Sequence, residues 1–188
     1  MPVHLYGNPV DIGAIAAVTG PAGVAIVEDA SQAHGAGASG ARIGSLGLAA
    51  GFSHYPTKNL GAFGDAGTVT TDDPALARRV RMIRNHGRAT QADVDYEIIG
   101  RTGRLDSLQA AVLSVKLPQL DERNAQRREI IAAYDDLLPA SARRVRTPEL
   151  SVAAPHLCVV LVNDRDRLRA ALAEEGIGRR EDWFLKTG

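Results

Sequence analysis

Four apolar residues in a row, Val24-Ala25-Ile26-Val27, run straight into two acids, Glu28-Asp29. A short continuous apolar run bounded by turn residues suits a strand buried on both faces, as in a parallel sheet covered by helices. The neighbouring segments keep that rhythm. Asp11 to Val18 places Ile12, Ile15, Ala16 and Val18 at helical spacing and stops at Gly20-Pro21. Ala49 to Ser53 reads as another strand, and Thr68 to Thr71 is β-prone. Asp72-Asp73-Pro74 opens a helix that runs to about Asn85, with aspartate available as N-cap and proline preset for the first turn. From Leu105 to Leu138 the period is helical again, and Pro118 makes this two helices or one bent helix. Its charged stretch, Asp121 to Glu129, reads as a solvated face. A linker over Ala140 to Pro155, a strand over His156 to Val162 and a helix over Arg165 to Glu175 complete the pattern. The sequence is therefore α/β, with one domain over residues 1–138 and the start of a second over 139–188.

Composition narrows the function classes. The 188 residues carry no formal net charge, which gives no reason to expect a nucleic acid or an anionic membrane as partner. No apolar run approaches the roughly 20 residues of a membrane span, and the N-terminus lacks the features of a signal peptide. A cytoplasmic location is expected. The single cysteine, Cys158, excludes an internal disulfide and is expected to be inert core on an apolar strand. Five histidines without a paired spacing give no metal site. Only three lysines occur, Lys58, Lys116 and Lys186, so few positions can do amine chemistry.

Lys58 follows a predicted strand, in Ser53-His54-Tyr55-Pro56-Thr57-Lys58-Asn59. Loops at the carboxyl ends of strands are where open α/β sheets bind ligands. A lysine held there can form a Schiff base with an aldehyde, although a lone loop lysine is more often simply solvated. Asp29 ends the apolar strand, where an acid needs a partner; the alternatives are a helix N-cap and a carboxylate facing a cationic ring nitrogen. Pyridoxal phosphate needs such a carboxylate, a lysine and donors for its phosphate. Ser53 offers a hydroxyl five residues before Lys58, and Gln32 could bond the ring's phenolic oxygen. His34 and His86 read as hydrogen-bonded structural histidines. His54 has no assigned role, and Trp183 is equally open to packing or exposure.

Five blocks in order carry a more specific signal. They are Val3-His4-Leu5-Tyr6-Gly7, Glu28-Asp29-Ala30-Ser31-Gln32-Ala33-His34-Gly35-Ala36, Ser53 to Gly61, Gly64-Asp65-Ala66-Gly67 and Arg84-Asn85-His86-Gly87. Together with Gly100 to Tyr134, they resemble the successive motifs of the DegT/DnrJ/EryC1/StrS sugar aminotransferases. The resemblance implies a fold-type I, pyridoxal-phosphate-dependent transferase-like architecture: a partial large domain with a mainly parallel sheet, and the start of a small α/β domain. By position, it makes Lys58 the Schiff-base lysine, Asp29 the partner of the pyridine nitrogen, Gln32 a ring contact and Ser53 a phosphate contact. It implies transamination of a nucleotide-linked keto-sugar with an amino-acid donor, by resemblance glutamate. The family's dehydratase branch has histidine where this chain has Lys58, so transamination is favoured.

Compared with that family, the sequence is short at both ends. It lacks the early glycine-threonine/serine loop that holds the cofactor phosphate, and Thr102 stands where relatives have an asparagine that reaches the neighbouring subunit. Two expectations follow. One is an enzyme completed by dimerisation or by a chain supplying the missing half. The other is an inactive homologue acting as a pseudoenzyme or interaction subunit.

Overall fold

The structure is a computed structural model that describes residues 1–90, 92 and 94–178. Trp183 and Lys186 lie outside the described residues. In chain order the elements are α1 (Ile12–Thr19), β1 (Val27–Asp29), β2 (Gly37–Ala38), β3 (Ala41–Arg42), β4 (Ala49–Ser53), β5 (Gly67–Thr70), α2 (Pro74–Arg84), α3 (Ser107–Lys116), α4 (Leu120–Leu137), β6 (Ala142–Arg144), β7 (Ser151–Val152), β8 (Val160–Val162) and α5 (Arg165–Glu174). Among the described residues, no helix is long and apolar enough to cross a membrane.

The helix starts follow the capping residues. Asp11 accepts from the Ala14 N–H at 2.9 Å to open α1, and Asp73 accepts from Ala75 and Leu76 at 2.8 and 3.1 Å to open α2. Pro118 sits in a 3₁₀ turn, Leu117–Gln119, that separates α3 from α4, so the long helical stretch is two helices. A residue in the left-handed region, Gly176 at φ 70°, follows the end of α5.

The central sheet has the order β1-β4-β5. β1 and β4 run parallel, with Val27 opposite Ala49 and Asp29 opposite Gly51, and a parallel bridge joins Val3 to Asp29. β5 pairs antiparallel with β4. A second sheet, β3-β2-β7, and a third, β6-β8, are antiparallel throughout.

Three expectations change in the folded chain. The first strand begins where the apolar run ends, and its two-faced burial does not occur: Val24 and Val27 are 56% and 40% exposed. That face is left partly open among the described residues, and the buried position of β1 is Glu28 instead. The stretch read as a linker forms β6 and β7, and its end is core. β7 pairs with β2, Ala154 and His156 donate their N–H groups to the carbonyls of Gly7 and Tyr6, and Ala154 is fully buried. Cys158 is exposed and lies before β8 rather than inside it, because the strand over 156–162 shrinks to Val160–Val162.

The core is built of small side chains. One cluster comprises Ala30, Ala33, Ala36, Ala38, Ile43, Ala50 and Ala154, with Leu46 and Phe52 packed against it. A second comprises Leu60, Ala62, Leu113 and Leu120. Alanine brings backbone segments close together, and Gly7 shows how close: at φ 87°, a Cβ there would collide with the Ala154 carbonyl.

Polar groups do as much of the fastening. Glu28 is 0% exposed and its carboxylate is saturated. One oxygen accepts from the N–H groups of Leu46 and Gly47 at 3.0 and 2.8 Å. The other accepts from Gly44 N–H at 3.2 Å and from His4 Nε2 at 3.0 Å. His4 in turn accepts the Val10 N–H on Nδ1 at 3.0 Å, so its proton sits on Nε2. Burial lowers the His4 pKa, although the Glu28 carboxylate opposes that shift. Glu28→Gln puts an NH₂ group against backbone N–H donors. We expect a loss of about 3 kcal/mol or more, read as the urea midpoint by far-UV circular dichroism. A loss below about 1 kcal/mol shows that the network is dispensable.

Candidate active site

Because β1 and β4 are parallel, their carboxyl ends share one edge of the sheet. Asp29 ends β1 and Ser53 ends β4. The loop after β1 carries Gln32 and His34, and is tied down by the Ala30 N–H donating to the Gly51 carbonyl at 2.9 Å. The loop after β4 carries Lys58, and its turn is closed by the Lys58 N–H donating to the Tyr55 carbonyl at 2.9 Å. The four residues singled out in the sequence thus come from two strand ends and the two loops that follow them.

Each has a defined setting. One Asp29 carboxylate oxygen accepts the Ser31 N–H at 3.0 Å, an Asx turn within a loop. No helix follows β1 directly, so Asp29 is not a helix N-cap. Its other oxygen takes no hydrogen bond among the described residues. Gln32 accepts the Tyr6 N–H on Oε1 at 2.7 Å, which fixes the amide so that its NH₂ group is the end left to donate. Ser53 is half-buried, and its Oγ faces the Tyr55 N–H at 3.4 Å. Lys58 is half-buried.

Two histidines are buried in this region. His54 is buried and joins two segments: Nδ1 donates to the Leu60 carbonyl at 2.9 Å, which leaves Nε2 to accept from the Thr68 hydroxyl at 3.0 Å. It therefore closes the Lys58 loop onto β5, a role the sequence had not assigned. His34 is only 3% exposed, with its ring 5.4 Å from Phe52 and 5.3 Å from His54. Neither of its ring nitrogens has a hydrogen-bond partner of regular geometry, contrary to the expected structural hydrogen bond. Its pKa falls to about 4, first by burial, then by the neighbouring His54, Lys58 and His156, with the Ser53 backbone opposing. The ring is neutral at physiological pH.

At a separate position, His86 adopts φ 62° in the turn after α2 and lies 3.4 Å from the Thr102 hydroxyl. Asn85, His86, Arg88, Tyr96 and Arg104 line an open cleft of about 390 Å³ there. Among the described residues no cluster of histidine, cysteine and acid could hold a metal ion.

The sequence profile of the DegT/DnrJ/EryC1/StrS aminotransferase family matches residues 1–184. The chain belongs to this family. It is 44% identical over 180 residues to the erythromycin biosynthesis sensory transduction protein EryC1 of Saccharopolyspora erythraea, covering 94% of this chain and 48% of that protein. It is also 44% identical to dTDP-3-amino-3,4,6-trideoxy-alpha-D-glucose transaminase of Streptomyces venezuelae, covering 94% of this chain and 47% of that one. The crystal structure of a family aminotransferase from Brucella abortus superposes with a TM-score of 0.90 at 32% identity, over 98% of this chain and 50% of that one. The S. venezuelae DesV structure gives 0.87 at 43% identity, over 94% and 47%. The architecture is accordingly fold-type I, mixed α/β with a partial sheet. The chain spans about half the length of the curated relatives it matches.

The buried neutral His34 gives a signed pH dependence. Its folded pKa lies below the ordinary 6.5, so its contribution to stability is complete above pH 6.5 and is lost as pH falls toward 4. The size is on the order of 3 kcal/mol. Urea melts of the native chain and His34→Phe at pH 7 and pH 4 isolate it: the native chain should lose more stability on acidification by that amount. Parallel losses in both proteins sink the assignment.

Proposed function

We propose that this chain carries the lysine-bearing part of a pyridoxal-phosphate-dependent aminotransferase acting on nucleotide-linked keto-sugars, with an amino acid, by family resemblance glutamate, as donor. The observation that carries the reading is the pairing of β1 with β4, which sets Asp29 and the Lys58 loop at one carboxyl edge. The donor set there fits the cofactor: an amine, a half-buried carboxylate with one oxygen left over, an amide held with its NH₂ end available and a hydroxyl.

When bound, the cofactor supplies an electron sink and a place to store the amino group. In that site Asp29 would hold a proton at the pyridine nitrogen by its charge, the Gln32 NH₂ group would donate to the phenolic oxygen, and the Ser53 hydroxyl would donate to the phosphate. Lys58 Nζ would hold the cofactor and would move the proton at the donor α-carbon, a double role that an amine fills best with a pKa near the working pH. The remaining phosphate donors and the sugar contacts come from the rest of the same polypeptide or from a second chain, with a homodimer as the simplest arrangement. The same reading includes a cytoplasmic location.

A second reading has support in two relatives whose names are regulatory. One is EryC1, described as a sensory transduction protein; the other is a pleiotropic regulatory protein of Geobacillus stearothermophilus, 44% identical over 181 residues. Under this reading the chain is an inactive homologue that serves as an interaction subunit.

Mixing the chain with pyridoxal phosphate, reducing with borohydride and mapping peptides separates the two. The enzyme reading expects a visible absorption band and a label on Lys58, both abolished in Lys58→Ala. Asp29→Asn should weaken the band by about tenfold in cofactor affinity, the effect of removing a charge-assisted hydrogen bond. No band, or a label spread evenly over the lysines, favours the regulatory reading.

A further inference from the structure

Asn59 directly follows Lys58, and its side chain faces four partners outside the loop. Its amide nitrogen points at three acceptors: Asn124 Oδ1 on α4 at 3.0 Å, and the carbonyls of Ala154 and Pro155 at 3.2 Å each. Its oxygen faces His156 Nδ1 at 3.4 Å. Asn124 is 1% exposed, and its own NH₂ group donates to the His34 carbonyl at 2.8 Å. Two arginines of the same helix complete the seam, Arg127 on the Pro155 carbonyl at 3.3 Å and Arg128 on the Ala153 carbonyl at 3.1 Å.

Two asparagine side chains therefore join the Lys58 loop, the His34 loop, α4 and the segment Ala153–His156 that leads into β8. The Lys58 loop has no ladder to set its register. Around Lys58 its backbone bonds are the turn closed by Tyr55 and the Ala62 N–H on the His54 carbonyl. A buried amide costs stability unless its hydrogen bonds are made, and a satisfied network admits one arrangement. No apolar contact could fix the loop's position with the same direction.

We propose that Asn59 is a positioning residue for Lys58, and that through Asn124 and the Ala153–His156 segment it ties the place of that amine to the C-terminal part of the chain. The proposal rests on the reading of Lys58 as the reactive amine. It concerns an arrangement of this chain's own residues, so it can be tested without the cofactor.

The test is trace acetylation with acetic anhydride, quantified by peptide mass spectrometry at Lys58 against a reference peptide amine in the same tube. Thermal melts run in parallel. In Asn59→Ala the acetylation rate of Lys58 should rise roughly two- to tenfold, the range that loss of an ordinary hydrogen bond gives. Asn124→Ala should move it in the same direction by less. The control is Arg42→Ala. Arg42 also ties the His34 loop to α4, through the Gly35 carbonyl at 2.7 Å and Asp121 at 2.8 Å, but without touching Asn59. It should fold with little change in melting temperature, since the ion pair is exposed, and it should leave the Lys58 rate unchanged. An unchanged rate in a folded Asn59→Ala, or an equal rise in Arg42→Ala, overturns the proposal. If Asn59→Ala does not fold, Asn124→Ala decides by the same criterion. A failed borohydride label in the native chain would count against the enzyme reading alone, since acetylation needs no cofactor.

Discussion

The carboxylate of Glu28 is the fixed point of the molecule. It has no exposure to solvent, and it accepts from three backbone N–H groups of the 44–47 loop and from His4. A buried charge is tolerated only when its lone pairs are filled, and here they are. That requirement places the N-terminal segment on one side of β1 and the loop before β4 on the other. The parallel register of β1 on β4 follows, because Leu48 N–H reaches the Ile26 carbonyl just below it at 2.8 Å. The neighbouring residue, Asp29, is then delivered to the sheet's edge with both its N–H and its carbonyl bonded to the N-terminal segment, through Pro2 and His4.

Close backbone approach is the second consequence. With alanine at most positions of the larger core cluster, little apolar area is available per residue, so the hydrophobic contribution is modest. Polar joints supply the definition that side-chain bulk does not. His54 holds its loop to β5, Gln32 holds the N-terminal segment, and Asn59 with Asn124 holds the lysine loop to α4. Surface ion pairs such as Arg42–Asp121 add little, since both partners are more than half exposed.

Large apolar residues stand in solvent at the same time. Val18 lies on α1, Val24 just before β1, Val27 and Val69 on β1 and β5, and Leu108, Val115, Ile130 and Leu137 on α3 and α4. Such exposure is costly for a chain working alone, and it accords with a sequence that spans about half the length of its relatives.

The sequence by itself determined the local elements and the chemistry on offer. Aspartates before apolar-periodic runs fixed the starts of α1 and α2, the run Ala49–Ser53 was a strand on its own evidence, and Pro118 marked a break or bend that the structure resolved into two helices. The motif blocks identified the family because they are contiguous and ordered. Only the tertiary structure decided what those residues touch. Val24 to Val27 looked doubly buried, but burial depends on covering elements that local pattern cannot supply, and the buried position proved to be an acid. Residues 151–155 belonged to a stretch, Ala140 to Pro155, that looked like linker because its two prolines and short alanine run carry no period; distant backbone groups of Gly7 and β2 make its end core. Asn59 and Asn124 stood inside motif blocks, but nothing marked them as partners, since a single amide 65 residues from its partner is indistinguishable from a surface polar residue until the chain is folded.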